Sequence, residues 1–179
     1  LQNNNILVLY RPLHEMSGDW FWWCKTDSAN FRKLWIHIYK YLTFEKELKN
    51  IIWAYSPSTA GDPLLLYPGE DFVDLVCFDA YTPNLFPDAQ SCYEKLCTLN
   101  KPIGLGEYGC LDGSDVYNKN NYHHDYMRFV NDLKTHYPKI CFFLTWRKGY
   151  SLKNHLNIDK MLNDPMMINK NDLPKFLIK

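Results

Sequence analysis

The stretch KPIGLGEYG, residues 101–109, is short, apolar and bounded by turn residues, and it closes on a carboxylate. A continuous apolar run of this length reads as a strand buried on both faces, as parallel strands are beneath covering helices. Its glycines are expected to let a covering helix approach closely. The same pattern recurs outward from it. VDLVCFDAY (73–81) reads as a strand, followed by a short helix over 89–99. IIWAYSP (51–57) reads as another, separated from it by the Pro- and Gly-broken loop 56–71. ILVLYRPL (6–13) is the first. After it, Phe31, Leu34, Trp35, Ile38 and Tyr39 recur at helical spacing, with Asn30 as the expected cap. Toward the carboxyl end, Tyr126, Phe129, Val130 and Leu133 predict a helix over 122–136 that ends near Pro138. KICFFLTWRKG (139–149) then holds a fifth strand, and the remainder from Ser151 predicts one short helix at 158–162 and an irregular tail. Strands alternating with helices predict an α/β fold with a parallel sheet. No linker, repeat or low-complexity block interrupts it, so residues 1–179 read as one unit.

The chain has 179 residues, 46% of them apolar and 16% aromatic, enough to build a substantial core. Twenty Lys plus Arg balance twenty Asp plus Glu. That leaves no basic field to gather nucleic acid or an anionic membrane, and neither is expected as a partner. No apolar run is long enough to span a bilayer, and no signal peptide is visible at LQNNN. Cys24, Cys77, Cys92, Cys97, Cys110 and Cys141 form no metal-ligand spacing, and several lie inside apolar runs. They read as buried thiols, and no metal site is expected; His37, His123 and His124 fall in or beside helices and read as packing or surface groups.

In parallel α/β folds the ligand side lies at the carboxyl ends of the strands. His14 and Glu15 follow the first strand, Asp79 and Tyr81 close the third, Glu107 ends the fourth, and Trp146 with Arg147 ends the fifth. Two carboxylates brought together there can cleave a glycosidic bond, one protonating the leaving oxygen and the other attacking the anomeric carbon. Tyr81 is placed to donate to Glu107, and Arg147 to orient Asp79 or to contact sugar hydroxyls. GDWFWW (18–23) packs an unusual aromatic density into a loop beside Glu15. Sugar rings stack their C–H faces on such planes and their hydroxyls demand polar partners, so Trp20 and Trp146 together with His14, Asp79 and Arg147 suit a carbohydrate, while Phe21 and one of Trp22 or Trp23 are expected to cover the core.

RPLHEMSGDWFWW (11–23), FDAY (78–81), KPIGLGEYG (101–109) and TWR (145–147), in this order, resemble glycoside hydrolase family 26, best known for endo-β-1,4-mannanases. The resemblance implies that Glu15 is the acid/base and Glu107 the nucleophile. It places His14 and Trp20 in the catalytic subsites, Tyr81 against the nucleophile, and Trp146 and Arg147 at the sugar site. It implies a retaining mechanism without a cofactor, acting on mannan, galactomannan or glucomannan, in a secreted parent with room for appended carbohydrate-binding modules. Gly106, Glu107 and Tyr108 replace the Thr-Glu-Phe of many members, which bears on subfamily rather than on the carboxylate. Mixed-linkage glucan or xylan remains an alternative substrate.

A complete eight-stranded β/α barrel typically takes about 250 residues. The resemblance runs from its fourth strand to its eighth, so a partial TIM (β/α)8 barrel is expected, with open edges at 6–13 and 140–146. Such a chain is expected to have little hydrolase activity by itself. A non-catalytic sugar-binding module and an open-sheet α/β protein are the competing readings.

Overall fold

A computed structural model describes residues 1–110, 118 and 123–173. Five strands, β1 (Val8–Tyr10), β2 (Ile51–Tyr55), β3 (Leu75–Tyr81), β4 (Ile103–Gly109) and β5 (Ile140–Thr145), form one sheet in sequence order. Every pairing is parallel. Consecutive parallel strands in spatial order are the arrangement of a β/α barrel wall, here a half-barrel with β1 and β5 outermost. Leu7 and Leu9 at one edge and Leu144 at the other are exposed, as expected of edges without a neighbour.

Helix α1 (Ser28–Lys40) joins β1 to β2. Its cap is Asp27, whose side chain accepts from the Asn30 N–H at 2.9 Å; the expected cap Asn30 is therefore the donor, and the helix begins earlier. An aspartate three residues before a free N–H satisfies one orphan donor of the first turn, which Asn30 inside the helix cannot do. The segment between β2 and β3 carries only the 3-10 turn Glu70–Phe72. Helices α2 (Leu85–Asp88) and α3 (Gln90–Cys97) follow β3, and α4 (Tyr126–Thr135) precedes β5. Of the expected span 122–136, Tyr122 lies outside the described residues and residues 123–125 precede the helix, because Asp125 caps it by accepting from the Met127 N–H at 2.9 Å and so sets its start at Tyr126. Helix α5 (Ile158–Leu162) falls where the sequence placed it.

The main core lies between sheet and helices. Trp35 of α1 meets Tyr55 of β2 edge to face at 5.7 Å, and Phe129 of α4 stacks on Tyr108 of β4 at 4.3 Å. Both contacts belong to a cluster of fully buried rings. A smaller cluster, Ala54, Leu75 and Cys77 with Ile52 and Phe142 against it, occupies the other face of the sheet. Parallel strands covered on one side and lined on the other explain why β3 and β4 are apolar almost throughout.

The glycines of β4 serve a different purpose from the one expected. A Cβ on Gly104 would meet the Phe142 ring at 2.3 Å, and one on Gly106 would meet Asp79 Oδ1 and Ser56 Oγ at 2.6 Å. Their neighbours are Phe142 of β5, Asp79 of β3 and Ser56 just after β2, and not a covering helix. None of the six cysteines is in a disulfide; Cys77, Cys92 and Cys110 are buried as expected, whereas Cys24 and Cys97 are partly buried and Cys141 is exposed. Among the described residues no helix is long and apolar enough to cross a membrane.

Candidate active site

The carboxyl ends of the strands converge on a cleft of about 390 Å³ lined by His14, Glu15, Phe21, Tyr81, Glu107, Trp146 and Tyr150. Five of the residues selected from the sequence thus share one cavity. Glu107 is 5% exposed. It accepts from Arg11 Nη2 on Oε1 and from the Tyr81 phenol on Oε2. Two donors on two oxygens fix the rotation of the carboxylate. Burial, and next the hydrogen bond given to Glu107, push the Tyr81 phenol far above its usual range, so it remains a donor.

Asp79 lies beneath the cleft, 2% exposed. It accepts from Arg11 Nη1 at 2.6 Å and from Ser56 Oγ at 2.9 Å. Burial raises its pKa to about 7, against the pull of the Arg11 charge. The β3–β4 register shifts after Phe78, so that Phe78 pairs with Leu105 but Asp79 pairs with Glu107. That irregularity passes over Gly106, whose missing side chain leaves space for the Asp79 and Ser56 oxygens. Arg11 is the cation of this network. Burial opposes its charge, but Asp79 and Glu107 together outweigh burial and raise its pKa.

Glu15 has a different environment. It is partly buried, its backbone is left-handed with φ 55°, and its N–H donates to the Ser56 carbonyl at 2.7 Å. Leu13 is also left-handed, at φ 49°. Two non-glycine residues in this region within three positions mark a backbone held by its surroundings. Trp23 supplies part of that hold, donating Nε1 to the His14 carbonyl at 2.9 Å. Trp20 donates Nε1 to Glu15 Oε2 at 2.7 Å. Burial raises the Glu15 pKa above the ordinary carboxylate range, partly offset by the Trp20 hydrogen bond, while the nearby Glu107 charge raises it further. His14 is pushed down by burial and by Arg11. It is therefore a neutral ring 3.9 Å from Glu107 Oε1.

The remaining selected residues divide. Trp20 and Trp146 are about half exposed, at 51% and 45%. Arg147 is exposed and, among the described residues, makes no hydrogen bond or ion pair; Asp79 is oriented by Arg11 instead. Arg11 leaves β1 at the same strand end as His14 and Glu15 and so reaches Asp79, whereas Arg147 begins the turn after β5. Trp23 packs against the core, Trp22 is 70% exposed, and Phe21 stacks on Trp23 at 4.3 Å while lining the cleft, so it has more than the covering role expected of it.

Sequence reasoning gave no role to Arg11, Ser56 or Tyr150. Arg11 opens the quoted motif, and a cation at a strand end facing two carboxylates was the available signal. Ser56 follows β2, the strand for which no chemical residue had been selected.

Residues 1–172 match the sequence profile of glycosyl hydrolase family 26. The chain belongs to glycosyl hydrolase family 26. The family-26 chain is 35% identical to a mannan endo-1,4-β-mannosidase of Bacillus subtilis, covering 97% of this chain and 48% of the relative. It is 33% identical to the mannan endo-1,4-β-mannosidase A and B of Caldalkalibacillus mannanilyticus, covering 97% of this chain and 34% of that protein. The solved structure of the Bacillus subtilis mannanase BCman superposes with a TM-score of 0.84 at 34% identity, over 95% of this chain and 51% of that one. The family-26 chain thus spans about half the length, or less, of these relatives.

Proposed function

We propose that the protein is a retaining endo-β-1,4-mannanase in which Glu15 is the acid/base and Glu107 the nucleophile. One observation carries this reading. Two carboxylates share a cleft in unlike surroundings: Glu107 accepts from Arg11 and from Tyr81, which hold its two oxygens in place, while burial raises the Glu15 pKa above its ordinary value. Opposed carboxyl environments assign the acid and the nucleophile of a glycosidase.

In the first step Glu15 protonates the glycosidic oxygen as Glu107 attacks the anomeric carbon. The C–O bond to the leaving sugar breaks, and a glycosyl ester forms on Glu107. Glu15, now a carboxylate, takes a proton from water, which attacks the same carbon and releases Glu107. Each attack inverts the centre, so the net outcome is retention. Trp146 in the cleft and Trp20, which bonds Glu15 beside it, supply exposed faces for sugar rings, and His14 in the cleft and Arg147 next to Trp146 supply polar partners for hydroxyls. No cofactor enters these steps. The mannan preference rests on the family-26 relatives named mannan endo-1,4-β-mannosidase. A polymeric substrate of this kind places the protein outside the cell, where appended carbohydrate-binding modules would extend its grip on mannan.

The test is a time-resolved proton NMR assay of mannopentaose with the protein as its gene encodes it. Internal cleavage with the β-anomer appearing before mutarotation supports the reading. First appearance of the α-anomer, or cleavage confined to mixed-linkage glucan or xylan, would overturn it.

A further inference from the structure

We infer that Gly18 is a positioning residue for the Glu15 carboxyl, acting through the indole of Trp20. The residues from Glu15 to Gly18 form a tight turn, closed by the Gly18 N–H donating to the Glu15 carbonyl at 3.0 Å. Trp20 folds back over this turn. A Cβ built on Gly18 would fall 2.4, 2.5 and 2.6 Å from Cη2, Cζ2 and Cζ3 of the Trp20 ring, which are its three nearest neighbours. The indole therefore lies directly on bare backbone. From that seat its Nε1 reaches Glu15 Oε2 at 2.7 Å.

Carbon atoms rest at about 3.5–4.0 Å from each other, so a methyl at residue 18 must drive the ring outward by about 1 Å. A hydrogen bond stretched by that much no longer meets the geometry of one. Trp20 is half exposed, so its ring can swing into solvent without disturbing the core. Gly18 is also outside the left-handed region, where only Gly61 and Gly69 among the described glycines lie, so alanine adopts its backbone without strain. The glycine is thus required by the ring and not by the chain's path.

The seat decides which oxygen of Glu15 carries the proton. An oxygen that accepts from an N–H is the carbonyl-like oxygen of a protonated carboxyl group, which leaves the proton on Oε1. Trp20 thereby directs the acid's proton to the oxygen it does not hold. The same N–H partly offsets the burial that raises the Glu15 pKa. The role in catalysis rests on Glu15 being the acid/base; the coupling between residues 18, 20 and 15 does not.

The experiment is a carbon-13 NMR titration of the Glu15 carboxyl, with the Trp20 indole N–H followed in parallel, in the full chain and in Gly18→Ala, Trp20→Phe and the double variant. In the unmodified chain the indole resonance is expected to titrate with the Glu15 midpoint. Gly18→Ala is expected to raise that midpoint and abolish the indole's response, Trp20→Phe to raise it likewise, and the double variant to match Trp20→Phe alone. An unchanged midpoint and indole resonance in Gly18→Ala would overturn the inference, as would an effect that adds in full to that of Trp20→Phe. An indole resonance in the unmodified chain that ignores Glu15 would overturn it without any variant. A Gly18→Ala chain that fails to fold also contradicts it, because a ring displaced into solvent leaves the core intact. None of these readings needs turnover, so a protein that shows the coupling yet does not cleave mannan overturns the proposed function alone.

Discussion

Arg11 and Glu107 stand 96 positions apart in the chain and meet as an ion pair at the carboxyl ends of β1 and β4. The same guanidinium spans to Asp79 at the end of β3. One planar cation with two forks therefore ties together strands at positions one, three and four of the sheet. Its side chain is 16% exposed and those of its partners are nearly buried, so the network is electrostatic cement as well as a floor for Glu107, the proposed nucleophile.

Replacing Arg11 with methionine keeps the bulk and removes the charge, which leaves Asp79 and Glu107 side by side in a buried site. Removal of one partner from a buried ion pair costs about 3–5 kcal/mol. Residual exposure of Arg11 sets the expectation at the lower end, about 3 kcal/mol, read as a lower urea midpoint at pH 7. Arg11→Lys is expected to keep part of the stability but little activity, because an ammonium group cannot fork to both carboxylates.

Tyr81→Phe tests the other donor to Glu107. The ring stays in edge contact with Tyr150 at 4.9 Å, so stability should change little. Loss of a hydrogen bond to a charged group is worth about 1.5–3 kcal/mol, a fall of about 10- to 150-fold in kcat/KM on mannopentaose. An unchanged rate would show that the phenol does not serve the nucleophile.

The upward shift of Glu15 sets a pH dependence. As the proposed acid, Glu15 must be protonated for the first step, and a raised pKa keeps it protonated to higher pH. The basic limb of kcat/KM should therefore lie above the ordinary carboxylate value. Burial is the larger cause and the Trp20 hydrogen bond opposes it, so Trp20→Phe should move that limb further up. Glu15→Gln should lose about 10²–10⁴-fold on mannan, and far less in the first step on an aryl mannoside whose leaving group needs no proton. The pH profiles and a pre-steady-state burst of aryl alcohol read both.

Gly106→Ala tests the space that Asp79 and Ser56 occupy. The added carbon would sit 2.6 Å from both oxygens, in a strand that is fully buried. Overpacking of a filled interior costs about 1–3 kcal/mol, to be read as a lower urea midpoint together with lost activity. A neutral substitution would mean that the register irregularity at Asp79 tolerates a wider spacing.

Much of this was legible in the chain before any coordinates. Alternation of apolar runs with helical periods gave the parallel sheet, because buried strands carry no polar face and helices must. Glu15, Tyr81, Glu107 and Trp146 could be grouped because strand ends in such a sheet share one side. Arg11 was legible only as a residue type, since its reach to Asp79 and Glu107 depends on contacts between strands 68 and 96 positions apart. Gly104 and Gly106 were visible as breaks in an apolar strand, but whether a helix, a ring or a carboxylate fills such a gap depends on the neighbouring strand. The Asp27 cap was missed because the apolar spacing points to the helix face and not to the residue that satisfies its first free N–H groups.

The most direct test of Glu107 as nucleophile is covalent trapping. The protein, as its gene encodes it, is treated with an activated 2-deoxy-2-fluoro-β-mannoside, whose fluorine slows hydrolysis of the glycosyl ester, and the label is located by peptide mass mapping. The expected result is one equivalent of fluoromannosyl ester on Glu107, with none in Glu107→Gln and normal chain folding in both. Label on Glu15 or on any other side chain, or steady mannan hydrolysis by Glu107→Gln, would contradict the assignment.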